Sequence, residues 1–557
     1  MTKDKIIIYQ LMPRWFTNMN GENTFNGTLE QNGVGKLNHI TPHVLRSIKG
    51  LGISHVWYTG VIEHATKSDY SSFGIKSSNS QVVKGNAGSP YAIRDYYDID
   101  PDLAVDVPHR MAEFEQLVTR THEAGLKVVI DFVPNHVARE YHSDAKPAGI
   151  ADLGEDDNQK RFFDPDNNFY YITGHDFVPP VPCDNRNPYT EHPAKATGND
   201  CYRENPGIND WYETVKLNYG IDPGCNCCYF YPIPSTWHKM LHILMFWAGK
   251  GVDAFRCDMA HMVPVEFWRW AIDQVKEKYP HILFIAEIYD TGLYQDYIQR
   301  GHFDYLYDKV TLYDTLRAVV CGQAPARAIT GCWQTIEGLQ DHMLNFLENH
   351  DEQRIASPHF AGDPLRAIPA LAVSAAISRC PFMLYAGQEL GEKAEGATGF
   401  SGDDGRTSIF DYISVDTLRR WYNHGRCNST LLTADEKALR KTYADILKIC
   451  RTERAIAEGE FYDLMYVNMH SLNPAKQYAF LRHHEKGTIL VVANFDDHAV
   501  ECSINMPKHA FEHLGITAGE KKAVELISRQ KATMSLTHEN PLTISIQPFS
   551  AVFWKFK

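Results

Sequence analysis

Four acidic side chains of this sequence stand at or beside short apolar runs, where a folded chain could gather them for chemistry. They are Asp131 in DFVPNH, Asp258 after GVDAFRC, Glu287 after LFIA and Asp351 in ENHDEQR. Cleavage of a glycosidic bond needs two carboxyl groups flanking that bond, one protonated and one ionised. A third carboxylate can support the positive charge of an oxocarbenium-like transition state. These acids therefore indicate glycoside chemistry, provided that the fold brings them together.

The basic neighbour of one acid indicates which carboxyl group would be ionised. Arg256 stands two residues before Asp258, so both lie on the same side of an extended strand. The positive charge of Arg256 would keep Asp258 ionised, as a nucleophile requires. Glu287, if shielded from water, would have a raised pKa suited to donating a proton. A structural role stays open here, because Arg256 and Asp258 could equally form a buried ion pair.

The other polar residues near these acids have two interpretations each. His136 and His350 are candidate sugar ligands, although an isolated histidine on an apolar segment is more often a satisfied core residue. Asp131 is a candidate substrate-binding residue, but Asp131 and Asn135 could instead cap loops. Because these residues come from separate segments, a shared site requires a fold in which the segment ends converge.

Eight short apolar runs alternate with helix-like stretches and predict such a fold. Continuous rather than alternating hydrophobicity is typical of strands buried on both faces of a parallel sheet. Helix starts are indicated at Thr41 with Pro42 and at Pro108, and a further helix is predicted over 237–247. We therefore predict an α/β fold, a (β/α)₈ TIM barrel whose strand ends point into one pocket. The predicted strands are 6–12, 55–61, 127–133, 251–258, 283–288, 303–309, 343–349 and 381–387.

Two departures from this pattern predict further domains. About a hundred residues rich in Pro, Asn, Asp, Gly and aromatics follow the third strand, which predicts a subdomain inserted there. After a last barrel helix over 434–454, alternating runs predict an antiparallel β-sandwich domain. Its predicted strands are 461–467, 477–483, 488–495 and 542–557. The predicted limits are 1–137 and 223–455 for the barrel, 138–222 for the insert and 456–557 for the C-terminal domain.

Composition excludes several classes of protein. The net charge of −14 and the pI of about 6.0, without a stripe of Lys and Arg, argue against a nucleic-acid partner. No apolar run reaches 18 residues, so no membrane span is predicted. The opening MTKDKIIIYQLMPRW has an apolar run too short for a signal peptide. If Met1 is the native start, we expect a cytoplasmic protein, although a chain trimmed of its signal would look the same. The oligomeric state is not indicated.

Twelve cysteines lie scattered between Cys183 and Cys502 without the spacing of a disulfide framework. This pattern favours reduced thiols. The cluster Cys225, Cys227 and Cys228 is the one alternative as a zinc site. Structural zinc usually takes two separated pairs of ligands, and no second pair stands at a suitable distance. Ordinary thiols in a loop are therefore the favoured interpretation.

The segments that carry these residues resemble the α-amylase family of glycoside hydrolases, family 13. DFVPNH, GVDAFRCDMAH, FIAEI and FLENHD are similar, in order and spacing, to the four short conserved segments of that family. The resemblance covers the barrel, the insert and the C-terminal domain. It implies a retaining mechanism with Asp258 as nucleophile, Glu287 as acid and base, and Asp351 as transition-state stabiliser. It also implies that the sugar is held by Arg256, His136, His350 and Tyr91, the last within YAIRDYYDID.

One further segment bears on the subtype and on calcium. VKLN at 215–218 resembles the family's fifth conserved segment in the form found in neopullulanases and cyclomaltodextrinases. Calcium-dependent amylases have an aspartate where this chain has Lys216, although Asn135 and His261 match other positions of that calcium site. A cation beside an ammonium group is unfavourable. We therefore expect no required cofactor, with calcium at Asn135 and His261 the alternative.

The function expected from these observations is hydrolysis of α-1,4-glucosidic bonds in malto-oligosaccharides or α-glucans through a covalent glycosyl-enzyme. A transglycosylase or sugar isomerase using the same residues is the first alternative, because acceptor-site geometry decides between water and a sugar hydroxyl. A non-catalytic sugar-binding relative is the second, but the acids are all present. The stretch 401–407, SGDDGRT, is placed to form a wall of the cleft or a plain turn.

Overall fold

A computed structural model describes residues 4–183, 187–396 and 399–557. Eight parallel strands close into a barrel in sequence order, with the first strand between the second and the last. The predicted TIM-barrel fold is therefore confirmed. The predicted domain limits stay predictions, and residues 1–3, 184–186 and 397–398 within them lie outside the described part. The barrel strands are β1 Ile7–Leu11, β2 His55–Tyr58, β3 Lys127–Phe132, β4 Ala254–Cys257, β5 Leu283–Ala286, β6 Tyr305–Tyr307, β7 Met343–Phe346 and β8 Phe382–Tyr385.

Helices surround the barrel and begin where the local chemistry predicts. The Thr41 hydroxyl accepts a hydrogen bond from the amide of Val44, with proline at the first helical position. Among the described residues, no helix is long and apolar enough to cross a bilayer. The helices of six or more residues are Pro42–Lys49, Arg110–Glu123, Ser235–Gly249, Val265–Lys278, Tyr294–Gln299, Asp314–Val320, Ile329–Thr335, Ile368–Ala376, Asp416–Tyr422, Ala434–Thr452 and Lys508–Leu514. Four-residue helices are Pro13–Phe16, Leu29–Asn32, Arg454–Ala457 and Met465–Asn468.

The interior of the barrel is layered, apolar below and polar above. One buried cluster takes a side chain from every strand: Ile8, Trp57, Val129, Ala254, Ile285, Tyr307, Leu344 and Met383. Asp131 and Arg256 stand two residues beyond Val129 and Ala254, so their side chains point into the barrel one layer higher. The two are direct neighbours across β3 and β4. The apolar layer thus forms a floor that excludes water beneath the charged residues.

The insert is joined to the barrel by short antiparallel pairs. His136–Ala138, just past β3, pairs with Thr214–Lys216 and closes the base of the insert. Tyr171–Ile172 pairs with Ala194–Lys195 within it. The loop after β2 also contains structure, since Ile62–His64 pairs with Ile93–Ile99. Both excursions leave the barrel at the carboxyl end of a strand, which is the face where the acids stand.

The C-terminal domain is antiparallel, as predicted, with eight strands in two sheets. The strands are β9 Glu460–Asp463, β10 Gln477–His484, β11 Gly487–Asn494, β12 Val500–Ile504, β13 Gly519–Glu525, β14 Lys531–Leu536, β15 Leu542–Ile546 and β16 Ser550–Phe556. Six of them form a sheet in the order β9, β10, β11, β16, β13, β14, and β12 pairs with β15. Two predicted strands were wrong in extent. The first ends at Asp463, whose carboxylate accepts from the amide of Met465 and starts a short helix. The last breaks into β15 and β16.

The expectation of reduced thiols was wrong for one pair of cysteines. Cys225 and Cys227 form a disulfide, with their Cα atoms 5.3 Å apart. A hairpin between 221–222 and 227–228 brings the two side chains within bonding reach. Spacing alone did not indicate this pairing. Nine further cysteines, from Cys201 to Cys502, carry free thiols. The disulfide removes two of the three thiols that a zinc ion at this cluster would need.

Candidate active site

The acids found in the sequence converge at the carboxyl ends of neighbouring strands. Asp131 lies within β3 and Arg256 within β4, while Asp258 and Glu287 directly follow β4 and β5. Asp351 lies on the turn after β7. The first four are at most 6% exposed. Five charged groups from four strands therefore share one water-poor pocket, which no single segment of the sequence could form.

Arg256 is the centre of this cluster. Its Nη1 lies 2.6 Å from Asp258 Oδ1 and its Nη2 lies 2.7 Å from Glu287 Oε1. Nη1 also lies 3.6 Å from Asp131 Oδ1, and Nε donates to the hydroxyl of Tyr307 at 3.2 Å. The planar guanidinium thus bridges both candidate catalytic carboxylates at once. It supplies the counter-charge that allows several acids to be buried together.

Burial raises the pKa of both carboxyl groups, but their neighbours move the two pKa values apart. For Asp258, Arg256 and a hydrogen bond from Glu287 oppose the effect of burial on the pKa. For Glu287, the nearby negative charge of Asp258 adds to burial and raises the pKa further, against Arg256. These neighbours therefore favour a proton on Glu287 over a proton on Asp258. A pair of one acid and one nucleophile needs a division of this kind.

Two contacts fix the orientation of the Glu287 carboxyl group. Its Oε2 accepts from the backbone amide of Met259 at 2.9 Å. Its Oε1 accepts from the hydroxyl of Tyr289 at 2.5 Å. Met259 has a positive φ of 43°, a conformation that aims its amide back toward β5. The carboxyl group is thus held by the residue that follows Asp258, which couples the positions of the two acids.

His350 and Asp351 form the opposite side of the pocket. His350 Nδ1 lies 2.8 Å from Gln10 Nε2, and its Nε2 lies 2.5 Å from the hydroxyl of Tyr91. Burial, and secondarily Arg256, hold the pKa of His350 well below its usual value, so the ring is neutral. Asp351 Oδ2 lies 3.1 Å from His350 Nε2, while 41% of the Asp351 side chain is open to solvent. Partial burial and the neighbouring acid Glu287 raise the pKa of Asp351, with Arg256 opposing them.

Tyr91 and Asp131 close the floor of the pocket. The Tyr91 ring stacks on His350 at a centroid distance of 5.2 Å. Its hydroxyl lies 3.3 Å from Asp131 Oδ1, and Asp131 Oδ2 accepts from the indole of Trp57 at 2.9 Å. Burial raises the pKa of Asp131 to about 7, with Arg256 opposing it. Asp131 thus contacts the residues around the cleft and also accepts a backbone hydrogen bond from Gly60 in the loop after β2.

His136 stands where the insert meets the barrel. Its Nδ1 lies 3.1 Å from Asn135 Nδ2, and its ring lies 5.2 Å from that of Trp211 in the insert. Burial, with Lys216 and Lys84 nearby, lowers the pKa of His136 to about 3. The imidazole is therefore neutral and available for a hydrogen bond to a sugar hydroxyl.

Four residues that support the site were not predicted from the sequence. Gln10, Trp57, Tyr289 and Tyr307 contact His350, Asp131, Glu287 and Arg256 respectively. Three of them lie in barrel strands at positions that point inward. A polar or aromatic residue at an inward strand position was therefore the available signal. Tyr289 stands two residues after Glu287 and carried no such signal.

The two candidate calcium positions do not form an oxygen cage. The Lys216 ammonium donates to Asn135 Oδ1, lies 2.9 Å from Asp200 Oδ1 and approaches the carbonyl of Met262 at 3.4 Å. His261 Nδ1 is buried without a hydrogen-bond partner among the described residues. A protein site for Ca²⁺ takes six to eight oxygen ligands. Here the oxygens converge on an ammonium group, so the donor set does not fit the ion.

The fold and the site together define a (β/α)₈-barrel protein with a carboxylate-lined cleft and an antiparallel C-terminal domain. Residues 10–436 match the family described as alpha amylase, catalytic domain, and residues 468–557 match its C-terminal all-beta domain. The chain belongs to the α-amylase family, as its motifs predicted.

Known relatives are similar to this chain at moderate identity. The alpha-amylase MalA of Haloarcula japonica is 26% identical over 395 residues, which are 70% of this chain and 44% of that protein. Maltase A1 of Drosophila melanogaster is 26% identical over 252 residues, which are 45% of this chain and 33% of that protein. The chain thus spans less than half the length of these curated relatives. The maltogenic alpha-amylase AmyB of Thermotoga neapolitana has the same fold, with a TM-score of 0.62, 19% identity and coverage of 99% and 98% of the two chains.

Proposed function

We propose that this chain is a retaining glycoside hydrolase that cleaves α-1,4-glucosidic bonds in malto-oligosaccharides or α-glucans. The observation that carries this proposal is the bridging of Asp258 and Glu287 by one guanidinium, at 2.6 and 2.7 Å. Inverting enzymes keep their two carboxyl groups about 6.5–9.5 Å apart to admit a water between base and sugar, whereas retaining ones bring them to about 5 Å. Contact with one guanidinium, together with the hydrogen bond from Glu287 to Asp258, favours the closer arrangement.

In the first step, Glu287 acts as the acid and Asp258 as the nucleophile. The Glu287 proton moves to the glycosidic oxygen as its bond to the anomeric carbon breaks. Asp258 forms a new bond to that carbon and gives a covalent glycosyl-enzyme. The bond electrons leave with the departing sugar, which is released neutral. Arg256 keeps Asp258 ionised until it attacks.

In the second step, the Glu287 carboxylate removes a proton from water. The oxygen of that water attacks the anomeric carbon and displaces Asp258, so the configuration is retained and Glu287 is again protonated. The electron-poor sugar in both transition states gains from the negative charge of Asp351. The raised pKa of Glu287 favours uptake of the proton that this water loses.

The remaining residues would hold and orient the sugar. The aromatic ring of Tyr91 offers a flat apolar face for the C–H side of a pyranose. His136 and His350 are neutral and offer hydrogen bonds to its hydroxyl groups, while Asp131 is placed to accept one. An α-glucan substrate is supported by the relatives named alpha-amylase and maltase. We further propose that no calcium binds at Asn135 and His261, because Lys216 stands among the oxygens.

The test is proton NMR of maltoheptaose incubated with the purified protein. Early release of α-anomers in products shorter than the substrate is expected for a retaining hydrolase. Early β-anomers would contradict the retaining mechanism. Products longer than maltoheptaose would assign the chain to transglycosylation, the alternative with the same covalent intermediate. No change in any sugar signal would overturn the proposed substrate.

Two substitutions test the assigned roles. Asp258→Ala and Glu287→Gln should each lower kcat by at least about 10³-fold, because each removes a group that forms or breaks a bond. Glu277→Gln is the matched control, since this exposed carboxylate lies on the helix Val265–Lys278 away from the cleft. Circular dichroism and Tm should show all three variants folded. Turnover near that of the wild type in either active-site variant would exclude this mechanism.

A further inference from the structure

The turn that carries His350 and Asp351 is closed at its base by one buried carboxylate. Glu348 Oε1 accepts from the backbone amide of Ile355 at 2.6 Å, and Glu348 Oε2 accepts from Arg354 Nη1 at 2.9 Å. Both side chains are at most 1% exposed. The carboxylate therefore joins the start of the turn to its end. Residues 348–355 thus form a ring of eight residues, and Asp351, the candidate transition-state stabiliser, lies midway along it.

The same arginine ties this turn to a second loop. Arg354 Nε donates to the hydroxyl of Thr407 at 2.8 Å, and the amide of Arg354 donates to the carbonyl of Gly405 at 2.8 Å. Gln353 adds a bond from its Nε2 to the carbonyl of Asp404 at 3.0 Å. The guanidinium also lies 3.9 Å from the centre of the Tyr385 ring. The loop after β8 is thereby fastened to the turn after β7.

Inside the ring, an asparagine places the Asp351 backbone. Asn349 Oδ1 accepts from the amides of Asp351 at 2.8 Å and of Glu352 at 3.0 Å. Asp351 has its own side chain 41% exposed to the cleft, so packing does little to restrain it. Its position depends on the backbone, and the backbone depends on the ring that Glu348 closes.

We propose that the buried Glu348–Arg354 pair is a positioning device that sets the location of Asp351 and locks the 401–407 segment against it as one wall of the cleft. This proposal rests on the proposed function, because it assumes that Asp351 acts on the transition state. Burial of two charged groups carries a desolvation penalty. The presence of such a pair at the base of the turn indicates that the geometry of this turn matters. Its effect should appear in kcat more than in KM, since a misplaced stabiliser weakens binding of the transition state and not of the ground state.

The kinetic test uses Glu348→Gln, with Thr407→Val as a milder second variant. Glu348→Gln is expected to lower kcat on maltoheptaose by about 100-fold, the effect of an ångström of misplacement, with KM changed less than about threefold. Thr407→Val removes only the hydroxyl that accepts from Arg354 and should lower kcat by about three- to tenfold. It keeps the test open if Glu348→Gln does not fold.

The matched control is Asp253→Asn at the opposite end of the barrel. Asp253 is also a buried carboxylate that accepts from a backbone amide, that of Val128 at 2.8 Å, and from a basic side chain, Lys127 at 2.8 Å. This variant should lower Tm but leave kcat within about twofold of the wild type. A purely structural role for Glu348 predicts the same behaviour as Asp253→Asn. A kcat of Glu348→Gln or Thr407→Val that matches this control would overturn the proposal.

A second readout needs no substrate and separates the two proposals. Hydrogen exchange of the free protein should be faster in segments 349–356 and 403–407 of Glu348→Gln, and unchanged there in Asp253→Asn. Faster exchange in both segments of Glu348→Gln, together with a wild type that is inactive on α-glucans, would support the Glu348–Arg354 pair as a positioning device while overturning the proposed function. Unchanged exchange in these segments would overturn the positioning role of the pair, whatever the activity.

Discussion

At the scale of single residues, the site depends on how one arginine distributes charge among the acids. Arg256 contacts Asp258 and Glu287 directly, and burial beneath the cleft raises the pKa of both. Asp351 receives less compensation, because burial and the neighbouring acids raise its pKa more than Arg256 lowers it. An ionised carboxyl group that lowers the stability of the folded state is typical of a functional site, where residues are not optimised for stability.

Asp351→Asn should therefore raise stability while lowering activity. The pKa of Asp351 is raised in the folded state, so this carboxyl group ionises more readily in the unfolded chain. The free energy of unfolding therefore falls as pH rises above the ordinary carboxyl pKa of about 3.8. The variant should have the higher Tm at pH 7, by up to about 2 °C, and this advantage should vanish near pH 4. Its kcat should fall by about 10²–10³-fold. Calorimetry at both pH values and turnover of maltoheptaose measure these effects. A variant less stable than the wild type at pH 7 would contradict this account.

At the scale of elements, the short strand pair between 136–138 and 214–216 joins the insert to the site. His136 and Lys216 are direct partners in this pair, so the imidazole and the ammonium group lie on adjacent strands at the junction with the insert. Lys216 links Asn135 of the barrel to Asp200 of the insert through its ammonium group. A lysine does this without depending on free calcium.

The stability of the wild type should therefore not respond to calcium or to a chelator. A bound ion present at a hundred times its Kd would add about 2.7 kcal/mol, a shift that thermal unfolding detects readily. Lys216→Asp should lower Tm in EDTA and regain it when millimolar calcium is added, because an aspartate there completes a set of oxygens with Asn135 and Asp200. Differential scanning fluorimetry with and without calcium measures both proteins. A wild-type Tm that falls in EDTA would show that calcium is bound.

At the scale of the whole molecule, one buried arginine anchors the C-terminal domain to the barrel. Arg482 on β10 donates to the carbonyl of Ile377 at the end of a barrel helix, at 2.9 Å. It also donates to the carbonyls of Ala455, Ile456 and Gly459 at 3.2, 3.0 and 2.6 Å. Burial lowers the pKa of Arg482 to about 10, which leaves it charged at neutral pH. The four carbonyls lie on the barrel and on the segment that connects the domains.

Arg482→Met should loosen this junction without changing the chemistry of the cleft. The methionine fills part of the volume but leaves buried carbonyl groups without donors, a loss of about 3 kcal/mol in the free energy of unfolding. We expect a Tm lower by several degrees in calorimetry and a kcat within about twofold of the wild type. Arg269→Met, on an exposed helix position, is the control and should change neither. A large loss of kcat in Arg482→Met with an unchanged Tm would assign this arginine to function instead.

The barrel and its principal acids were predictable because their signals are local. Eight continuous apolar runs predicted eight parallel strands, and each acid stands at the end of its own run. Strand ends of such a barrel must meet at one face, so convergence followed from topology alone. Where local signals compete, prediction was wrong. Asp463 accepts from the amide of Met465 at the start of a short helix that the apolar run 461–467 did not indicate. A hairpin brought Cys225 to Cys227.

By itself, the sequence determined the fold, the family and which residues surround the cleft. Only the tertiary structure decided how protons and charges are divided among them. Burial depth, the bridging position of Arg256 and the hydrogen bond between Glu287 and Asp258 depend on several strands at once. The same holds for the ring closed by Glu348 and for the ammonium of Lys216 against Asn135. A pKa or a counter-charge is set by distances in space, and residues far apart in the chain carry no local mark of them.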